Sequence, residues 1–349
     1  MLEADIQLRL SRLSLDAAFT VAAGEVLALL GPNGSGKSTI LRALSGLLPL
    51  TGGRVVLDGG VLEDPARRVR IAAEKRPIAP MFQDYLLFPH LSALENVAFG
   101  LRCRGTDKKA AREKAAGALA RLGLAEVAEA RPGAMSGGQQ QRVAMARALV
   151  TDPRLLLLYE PLAALDVSVK TSVRRLLRDV LSRSNAANVL VTHDLLDAVA
   201  LGDRMIVLED GAIVQAGTPA EVTAKPRSPY VADLTGVNLL RGTARGTLLE
   251  LDGGGQLRCA AAADGPAFAV IPPARVSVSR HRLEQQEENT WPGHISAVDL
   301  MGDRVRVHVD AAPAITAEVA PAVVDELKLD EGGEVWASVK PSDISAYPP

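Results

Sequence analysis

The chain has 349 residues, of which 48% are hydrophobic and 23% are charged, and its formal net charge is −2. This length allows two domains, and the composition is that of an ordinary globular protein. A net charge so close to zero excludes a general attraction to nucleic acid or anionic lipid. No apolar run reaches the roughly 18–20 residues that cross a bilayer, and the acidic start MLEADIQLRL predicts no signal peptide.

The first part of the chain predicts strands followed by helices. Residues 1–30 alternate apolar and polar positions and predict antiparallel strands that lead into a buried strand, Glu25 to Leu30. Residues 31–50 are typical of a glycine loop that opens a helix. Residues 84–150, rich in Ala, Leu, Arg and Glu, predict a helical insertion.

Farther along, residues 151–215 hold two apolar strands, RLLLLYEP and ANVLVTHD, on either side of a helix. The apolar residues of that helix, between Leu165 and Leu181, recur on one face. Strands that alternate with helices predict an α/β fold with a largely parallel sheet over residues 1–235.

Residues 236–349 form a second predicted domain, in which patterns such as RVRVHVD indicate short antiparallel strands. AFAVIPPARVSV, from Ala267, aligns without gaps on VWASVKPSDISA, from Val335. Two β segments can resemble each other by chance, or a small barrel-like unit is duplicated. Duplication predicts that the two copies cover each other's strand edges.

One motif points to a nucleotide. GPNGSGKST fits G-x-x-x-x-G-K-[ST] and stands between a predicted strand and a predicted helix. Glycines let backbone N–H groups face phosphates, and a helix N-terminus favours negative charge. We expect Lys37 to reach the β- and γ-phosphates of ATP and the Ser38 hydroxyl to bind Mg²⁺. The motif residues are Gly31, Pro32, Asn33, Gly34, Ser35, Gly36, Lys37, Ser38 and Thr39.

A second motif is MSGGQQQRVAMARAL, from Met135 to Leu149. Ser136 is placed to cap a helix, and the exposed glycines that follow let a phosphate approach the helix N-terminus. The predicted apolar face of this helix carries Val143, Ala146, Leu149 and Val150. Alone, the motif is also compatible with a plain helix cap.

With both motifs in this order, residues 1–235 resemble the nucleotide-binding subunit of ATP-binding-cassette (ABC) transporters, a P-loop NTPase fold with a helical subdomain at about residues 84–150. The resemblance implies a homodimer, in which the signature residues of one copy cap the ATP of the other. It also implies integral-membrane permease subunits, a periplasmic or extracellular solute-binding protein, and a peripheral location on the cytoplasmic face of the plasma membrane. The signature residues are Ser136, Gly137, Gly138 and Gln139.

Other positions acquire roles only through this resemblance. Gln83 matches a glutamine that touches Mg²⁺ and the attacking water, and Glu160 matches the general base that polarises that water. Asp166 matches the loop that acts across the dimer, and His193 matches the γ-phosphate sensor. The stretch upstream of the P-loop, where the family stacks adenine on an aromatic residue, offers none before Phe19, for which a core role is predicted.

Tyr159 departs from the family, which has an aspartate at this position to orient Mg²⁺ through water. A phenol brings no charge to a dication near neutral pH. Losing such a partner typically costs roughly 10–100-fold in affinity or activity, about 1.4–2.7 kcal/mol. We therefore expect ATP binding with impaired turnover; the alternative is a nucleotide-gated oxyanion sensor that no longer hydrolyses ATP.

The second predicted domain, residues 236–349, indicates which solute is transported. GVNLLRGTARG and VWASVKPSDISAYP resemble the Mop (or TOBE) domain, an all-β, OB-like fold, of molybdate importer ATPases of the ModC type. The resemblance implies import of molybdate or tungstate, with sulfate, iron or another solute as alternatives. Oxyanion binding by this domain and a purely dimer-widening role both stay open. The candidate oxyanion ligands are Ser338, Lys340, Ser342 and Ser345.

Overall fold

The computed structural model describes residues 1–11, 13–81, 85–163, 165–282 and 289–349. The chain divides into two compact units, Met1–Ala220 and Glu221–Pro349. This division lies upstream of residue 236, where the composition changes, because two short helical stretches precede the first strand of the second unit. Among the described residues, no helix has both the length and the apolar character needed to cross a bilayer.

The first unit is built on one mixed sheet, which has eleven strands in the described part of the chain, in the order β6-β5-β4-β1-β2-β11-β10-β3-β9-β8-β7. These strands are β1 (Leu2–Arg9), β2 (Ser14–Val21), β3 (Val26–Leu30), β4 (Gly52–Leu57), β5 (Gly60–Asp64), β6 (Val69–Arg70), β7 (Ile78–Met81), β8 (Leu155–Tyr159), β9 (Ala187–Val191), β10 (Arg204–Glu209) and β11 (Ala212–Gly217).

The prediction of a parallel sheet is correct for one half of it. Strands β10, β3, β9, β8 and β7 are mutually parallel, and every residue of β3 and β9 is buried, as expected where helices cover both faces. The other half is mainly antiparallel: β1 pairs with β2 and β4, and β4 pairs with β5. Its first two strands follow the predicted alternation, whereas β4 to β6 carry no comparable pattern.

Two apolar cores lie on the two faces of this sheet. One joins the sheet to the predicted helical insertion and the helix after β8, and the other contains Phe19, which is a core residue as predicted. The helices are α1 (Lys37–Leu44), α2 (Ala93–Cys103), α3 (Lys108–Arg121), α4 (Gly137–Leu149), α5 (Val167–Ser182) and α6 (Leu195–Leu201), and α7 (Pro219–Ala224) spans the division between the two units.

The described part of the second unit is mainly β, and its α-helical residues are the end of α7, α8 (Pro229–Thr235) and α9 (Pro321–Leu327). A three-stranded sheet and a five-stranded sheet share one apolar core. Their strands are β12 (Asn238–Leu251), β13 (Gln256–Ile271), β14 (Ser277–Ser279), β15 (Thr290–Met301), β16 (Arg304–Ala311), β17 (Ile315–Val319), β18 (Glu334–Ser338) and β19 (Ser345–Tyr347).

The two segments that align in sequence also fold alike. Each is the end of a strand, a 3₁₀ turn and a three-residue strand: β13 with β14, and β18 with β19. The short strands are exchanged, because β14 pairs with β18 and β19 pairs with β13. Even the register is shared, since Val278 lies opposite Ala337 and their sequence counterparts, Ala346 and Ala269, lie opposite each other. This reciprocal edge covering is what a duplicated unit predicts.

Candidate nucleotide site

The glycine loop between β3 and α1 is shaped by positions that exclude a side chain. Gly31 has φ +150°, and a Cβ there would lie 2.1 Å from the carbonyl oxygen of Leu208. Gly36 has φ +111°, and a Cβ there would lie 2.8 Å from Leu15 Cδ1. Glycine is therefore required at both positions, and the loop can follow the path that turns backbone N–H groups outward.

Within this loop the polar groups are prepared for a ligand. Lys37 is buried, and its Nζ donates hydrogen bonds of 2.7 Å each to the carbonyl oxygens of Gly31 and Pro32. Burial lowers the pKa of the Lys37 ammonium, and the negative charge of Glu160 opposes that shift. The Oγ atom of Ser35 is buried and has no hydrogen-bond partner in the described residues. Such a hydroxyl is expected to pair with a bound group.

Tyr159 meets the P-loop directly. It is the last residue of β8, and the Ser38 Oγ donates a 3.1 Å hydrogen bond to the Tyr159 hydroxyl. The phenol therefore accepts the hydrogen of the hydroxyl that was predicted to bind Mg²⁺, and the lone pairs of the Ser38 oxygen stay available to a cation. Magnesium in nucleotide sites is usually held by one or two protein oxygens together with phosphate oxygens, and Ser38 can supply one of these protein oxygens. Tyr159 adds no carboxylate.

Glu160 and His193 form the acidic side of the site. Glu160 has φ +46°, a left-handed conformation, and its N–H donates a 2.8 Å bond to the Val191 carbonyl. Its Oε1 lies 3.0 Å from His193 Nδ1. The Glu160 side chain is largely shielded at 16% exposure, whereas His193 is 65% exposed, so the imidazole faces outward from the carboxylate. A strained backbone at the residue that bears a shielded carboxylate is typical of a functional site.

The predicted capping at Ser136 is confirmed. Its Oγ accepts a 3.3 Å bond from Gln139 N–H, and the Gln139 side chain accepts a 2.9 Å bond from Ser136 N–H, which completes a capping box at the start of α4. Ser136 and Gly137 are exposed, as is Asp166, which begins α5. Among the described residues, no hydrogen bond joins Ser136 or Asp166 to the group around Lys37. Gln83 lies outside the described residues.

Sequence reasoning missed Gln141, which reaches the acidic side from α4. It is fully buried, and its Nε2 donates a 3.2 Å bond to the Glu160 carbonyl oxygen. The left-handed residue is thus held both by β9 and by the helix that Ser136 caps. The acceptor is a backbone carbonyl, so residue types at fixed spacing give no signal for this contact.

Arg147, on the same helix, was also missed. Its guanidinium donates bonds of 2.7 Å each to the carbonyl oxygens of Tyr85 and Leu86, both of which have positive φ. It also lies 5.7 Å from the centre of the Phe88 ring. Burial lowers the pKa of the Arg147 guanidinium. Arg147 therefore fixes the strained segment that follows Gln83 in the sequence.

Replacing Arg147 by methionine is expected to destabilise the protein by about 1–3 kcal/mol, because two strained carbonyl groups lose their donors. Chemical denaturation measures the loss. Arg142→Met, on the same helix, is the matched control, because Arg142 bonds the carbonyl oxygens of Leu122 and Gly138 and does not touch the strained segment. Proteolysis at Tyr85–Leu86 should accelerate in Arg147→Met alone, and equal cleavage in both variants would contradict this role.

Behind His193 lies an ion-pair network between α5 and α6. Lys170 Nζ pairs with the Asp194 carboxylate and lies 3.4 Å from Asp197 Oδ2, while Arg174 Nε donates a 2.7 Å bond to Asp197 Oδ1. Burial opposes ionisation of Lys170, but the hydrogen bond to Asp194 and the charges of Asp197 and Asp194 outweigh it and raise the Lys170 pKa. Burial also opposes ionisation of Asp194, but Lys170 and two backbone N–H groups lower the Asp194 pKa.

The candidate oxyanion ligands lie along one strand–turn–strand segment. Ser338 is buried at the end of β18, Lys340 and Ser342 are exposed at the 3₁₀ turn, and Ser345 is exposed at the start of β19. Thus three hydroxyls and one cation lie along one half of the duplicated unit.

At the carboxyl ends of parallel strands, a glycine cradle with a buried lysine faces a glutamate–histidine pair; this defines a P-loop ATPase domain. The ABC transporter family matches residues 15–163, and the TOBE domain family matches residues 285–346. The chain belongs to the family of ATP-binding subunits of ABC importers.

Several relatives carry this assignment. The molybdenum import ATP-binding protein ModC of Mycobacterium tuberculosis (strain H37Rv) is 41% identical over 96% of this chain and 94% of its own length. The sn-glycerol-3-phosphate import ATP-binding protein UgpC of Jannaschia sp. (strain CCS1) is 36% identical over 95% and 91%. The Fe(3+) ions import ATP-binding protein FbpC 1 of Rhizobium meliloti (strain 1021) is 36% identical over 88% and 86%.

A solved structure gives the same picture for the first part of the chain. The ATP-binding cassette MJ0796, in a dimeric post-hydrolysis state bound to ADP and Pi, is 29% identical and superimposes with a TM-score of 0.55. The match covers 63% of this chain and 99% of that cassette. The whole of that cassette is therefore matched, and the rest of this chain has no counterpart in it.

Proposed function

We propose that this chain is the ATPase subunit of an importer for molybdate or tungstate. The supporting observation is that the molybdenum-importing relative matches both units, at 41% identity over 96% of the chain. Relatives named for glycerol 3-phosphate and Fe(3+) also match over most of the chain, at 36% identity. Sulfate, iron and other solutes are therefore the competing cargoes.

The working assembly in this proposal is a homodimer on the cytoplasmic face of the plasma membrane, bound to integral-membrane permease subunits that receive solute from a binding protein outside. Ser136, Gly137 and Asp166 are exposed and unconnected to the P-loop residues of their own described chain. This is what is expected if they serve the nucleotide of the partner. The dimeric form of the MJ0796 cassette supports the same arrangement.

In the proposed site, ATP phosphates lie against the loop between β3 and α1. Lys37 exchanges its two carbonyl acceptors for phosphate oxygens, and the buried Ser35 hydroxyl gains a partner. Glu160 accepts a proton from the attacking water, and His193 contacts the γ-phosphate. Asp166 and the Ser136–Gln139 segment complete the site of the other copy.

Mg²⁺ in this site is expected to depend on Ser38, with Gln83 as a further contact proposed from the family resemblance. Bound Mg²⁺ supplies neutralisation of the phosphate charge during transfer. The Ser38 hydroxyl can keep its 3.1 Å bond to Tyr159 while its oxygen lone pairs bind the ion, but Tyr159 contributes no negative charge. The proposal is therefore an ATPase that binds nucleotide well and handles Mg²⁺ poorly.

A second function is favoured by that same contact. If Tyr159 prevents productive Mg²⁺ binding altogether, the chain is a nucleotide-gated oxyanion sensor rather than a pump motor. Phosphate release in the presence of the permease and a Mg²⁺ titration separate the two functions. Hydrolysis that rises with Mg²⁺ supports the motor, and ATP binding without any hydrolysis supports the sensor.

The cargo is tested by titrating molybdate into the full-length protein in a calorimeter. We expect saturable heat at micromolar to millimolar molybdate, because hydroxyl, backbone and lysine donors of the second unit suit a tetrahedral dianion. Sulfate is the matched control, since it has the same charge and shape. If millimolar molybdate gives no heat, the second unit does not bind the oxyanion. If sulfate binds more tightly than molybdate, sulfate becomes the favoured solute.

A further inference from the structure

His193 is held at its base by a charged network that has no role in the function proposed so far. Asp194 follows His193 directly, and its Oδ1 caps α6 by accepting a 2.8 Å bond from Leu196 N–H. Its other oxygen, Oδ2, forms an ion pair with the ammonium group of Lys170. The carboxylate thus has one oxygen for helix capping and one for the lysine.

Lys170 belongs to a different element, the first turns of α5. Its backbone N–H bonds the carbonyl oxygen of Asp166 at 2.8 Å, so it is fixed relative to the exposed start of that helix. The pair is shielded from water, with Lys170 at 22% and Asp194 at 24% exposure. A shielded, hydrogen-bonded ion pair holds its geometry better than an exposed one.

We propose that Lys170 is a positioning residue for His193: its ammonium holds Asp194 and thereby sets where the imidazole meets the terminal phosphate. This inference rests on the proposed function, in which His193 contacts the γ-phosphate. It adds a connection between Asp166, which faces the partner copy, and the residue that distinguishes ATP from ADP. Loss of the lysine should therefore weaken the binding of ATP more than the binding of ADP, since only ATP carries the γ-phosphate that His193 contacts.

The test is direct binding of ATP and of ADP to the full-length protein by equilibrium dialysis, without turnover as a readout. In Lys170→Met the ratio of ATP to ADP affinity should fall about fivefold or more, a typical size for coupled sites. Lys170→Arg should retain most of the ratio, because the guanidinium also pairs with a carboxylate. Asp194→Asn keeps a helix-capping oxygen and loses the charge, so it should reproduce the loss.

Arg174→Met is the matched control. It removes one positive charge from the same network, but Arg174 pairs with Asp197, and no hydrogen bond or ion pair joins it to Asp194 within the described residues. The ratio of ATP to ADP affinity in Arg174→Met should stay within about twofold of the value for the unchanged protein. This change is smaller than the roughly fivefold fall expected for Lys170→Met. Thermal unfolding of each variant reports the purely structural contribution.

The outcomes are distinguishable. The positioning role is overturned if the ratio of ATP to ADP affinity falls equally in Lys170→Met and Arg174→Met. It is also overturned if the ratio is unchanged in Lys170→Met but falls in His193→Ala. Both outcomes leave the proposed function intact. An unchanged ratio in His193→Ala overturns the γ-phosphate contact in the proposed function and the positioning role with it. Non-additive losses in Lys170→Met combined with Asp194→Asn support the proposal, because the two changes break one interaction.

Discussion

Replacing Tyr159 by aspartate is expected to raise Mg²⁺-dependent ATP hydrolysis by about 10–100-fold. The aspartate supplies a negative charge beside the Ser38 hydroxyl, which in the unchanged protein donates its 3.1 Å bond to the neutral phenol of Tyr159. Phosphate release by the full-length protein, with its permease if the subunit alone is silent, gives the rate. Titration of Mg²⁺ at fixed ATP gives the ion's apparent affinity, which should rise by a similar factor.

Tyr159→Phe is the control for this change. It removes the phenol hydroxyl and supplies no charge, so it separates the effect of the bond between Ser38 and the phenol from the effect of the missing carboxylate. We expect Tyr159→Phe to hydrolyse ATP no faster than a few-fold above the unchanged protein, because one neutral hydrogen bond contributes about 0.5–1.5 kcal/mol. If Tyr159→Asp changes neither the Mg²⁺ affinity nor the rate, the interpretation of Tyr159 is wrong.

The sequence was most informative where function requires a residue type at a fixed spacing. The P-loop could be recognised because Gly31 and Gly36 adopt conformations, beside Leu208 and Leu15, that admit only glycine. The capping box could be recognised because Ser136 and Gln139 are three residues apart, one helical turn. Buried strands such as β3 were evident because parallel strands covered on both faces are continuously apolar.

Contacts between distant elements gave no such signal. Lys170 and Asp194 are ordinary charged residues in sequence, and only the packing of α5 against α6 turns them into a shielded pair. Gln141 and Arg147 bond backbone carbonyls, which every residue possesses. The antiparallel half of the sheet was incompletely predicted for a related reason, since β4 and β5 depend on pairing with β1 more than on their own pattern.

These contacts share one property: each holds a residue next to the phosphate site from an element that carries no phosphate ligand within its own described chain. Gln141 joins the helix capped by Ser136 to Glu160, and Lys170 joins the helix begun by Asp166 to His193. Both helices start at exposed segments that the proposal assigns to the partner's nucleotide. In the proposed dimer, closure therefore has a physical route to the glutamate and the histidine of the same chain.

The chemistry at the end of that route is tested by Glu160→Gln, which is expected to lower hydrolysis by about 10²–10⁴-fold in the Tyr159→Asp background. The amide oxygen still accepts a bond at the 3.0 Å separation from His193 Nδ1, so the geometry persists while the proton acceptor is lost. Phosphate release measures the rate, and ATP affinity should remain because Glu160 is not part of the phosphate cradle.

The same substitution in the unchanged Tyr159 protein gives the informative comparison. If poor Mg²⁺ handling already limits turnover there, Glu160→Gln should lower a rate that is small to begin with, and the absolute loss is correspondingly small. A protein that keeps more than about a tenth of its rate after Glu160→Gln in the aspartate background does not use Glu160 as its base, since general-base catalysis supplies at least about 10². In that case the left-handed Glu160 serves the fold, and the water must be activated elsewhere in the site.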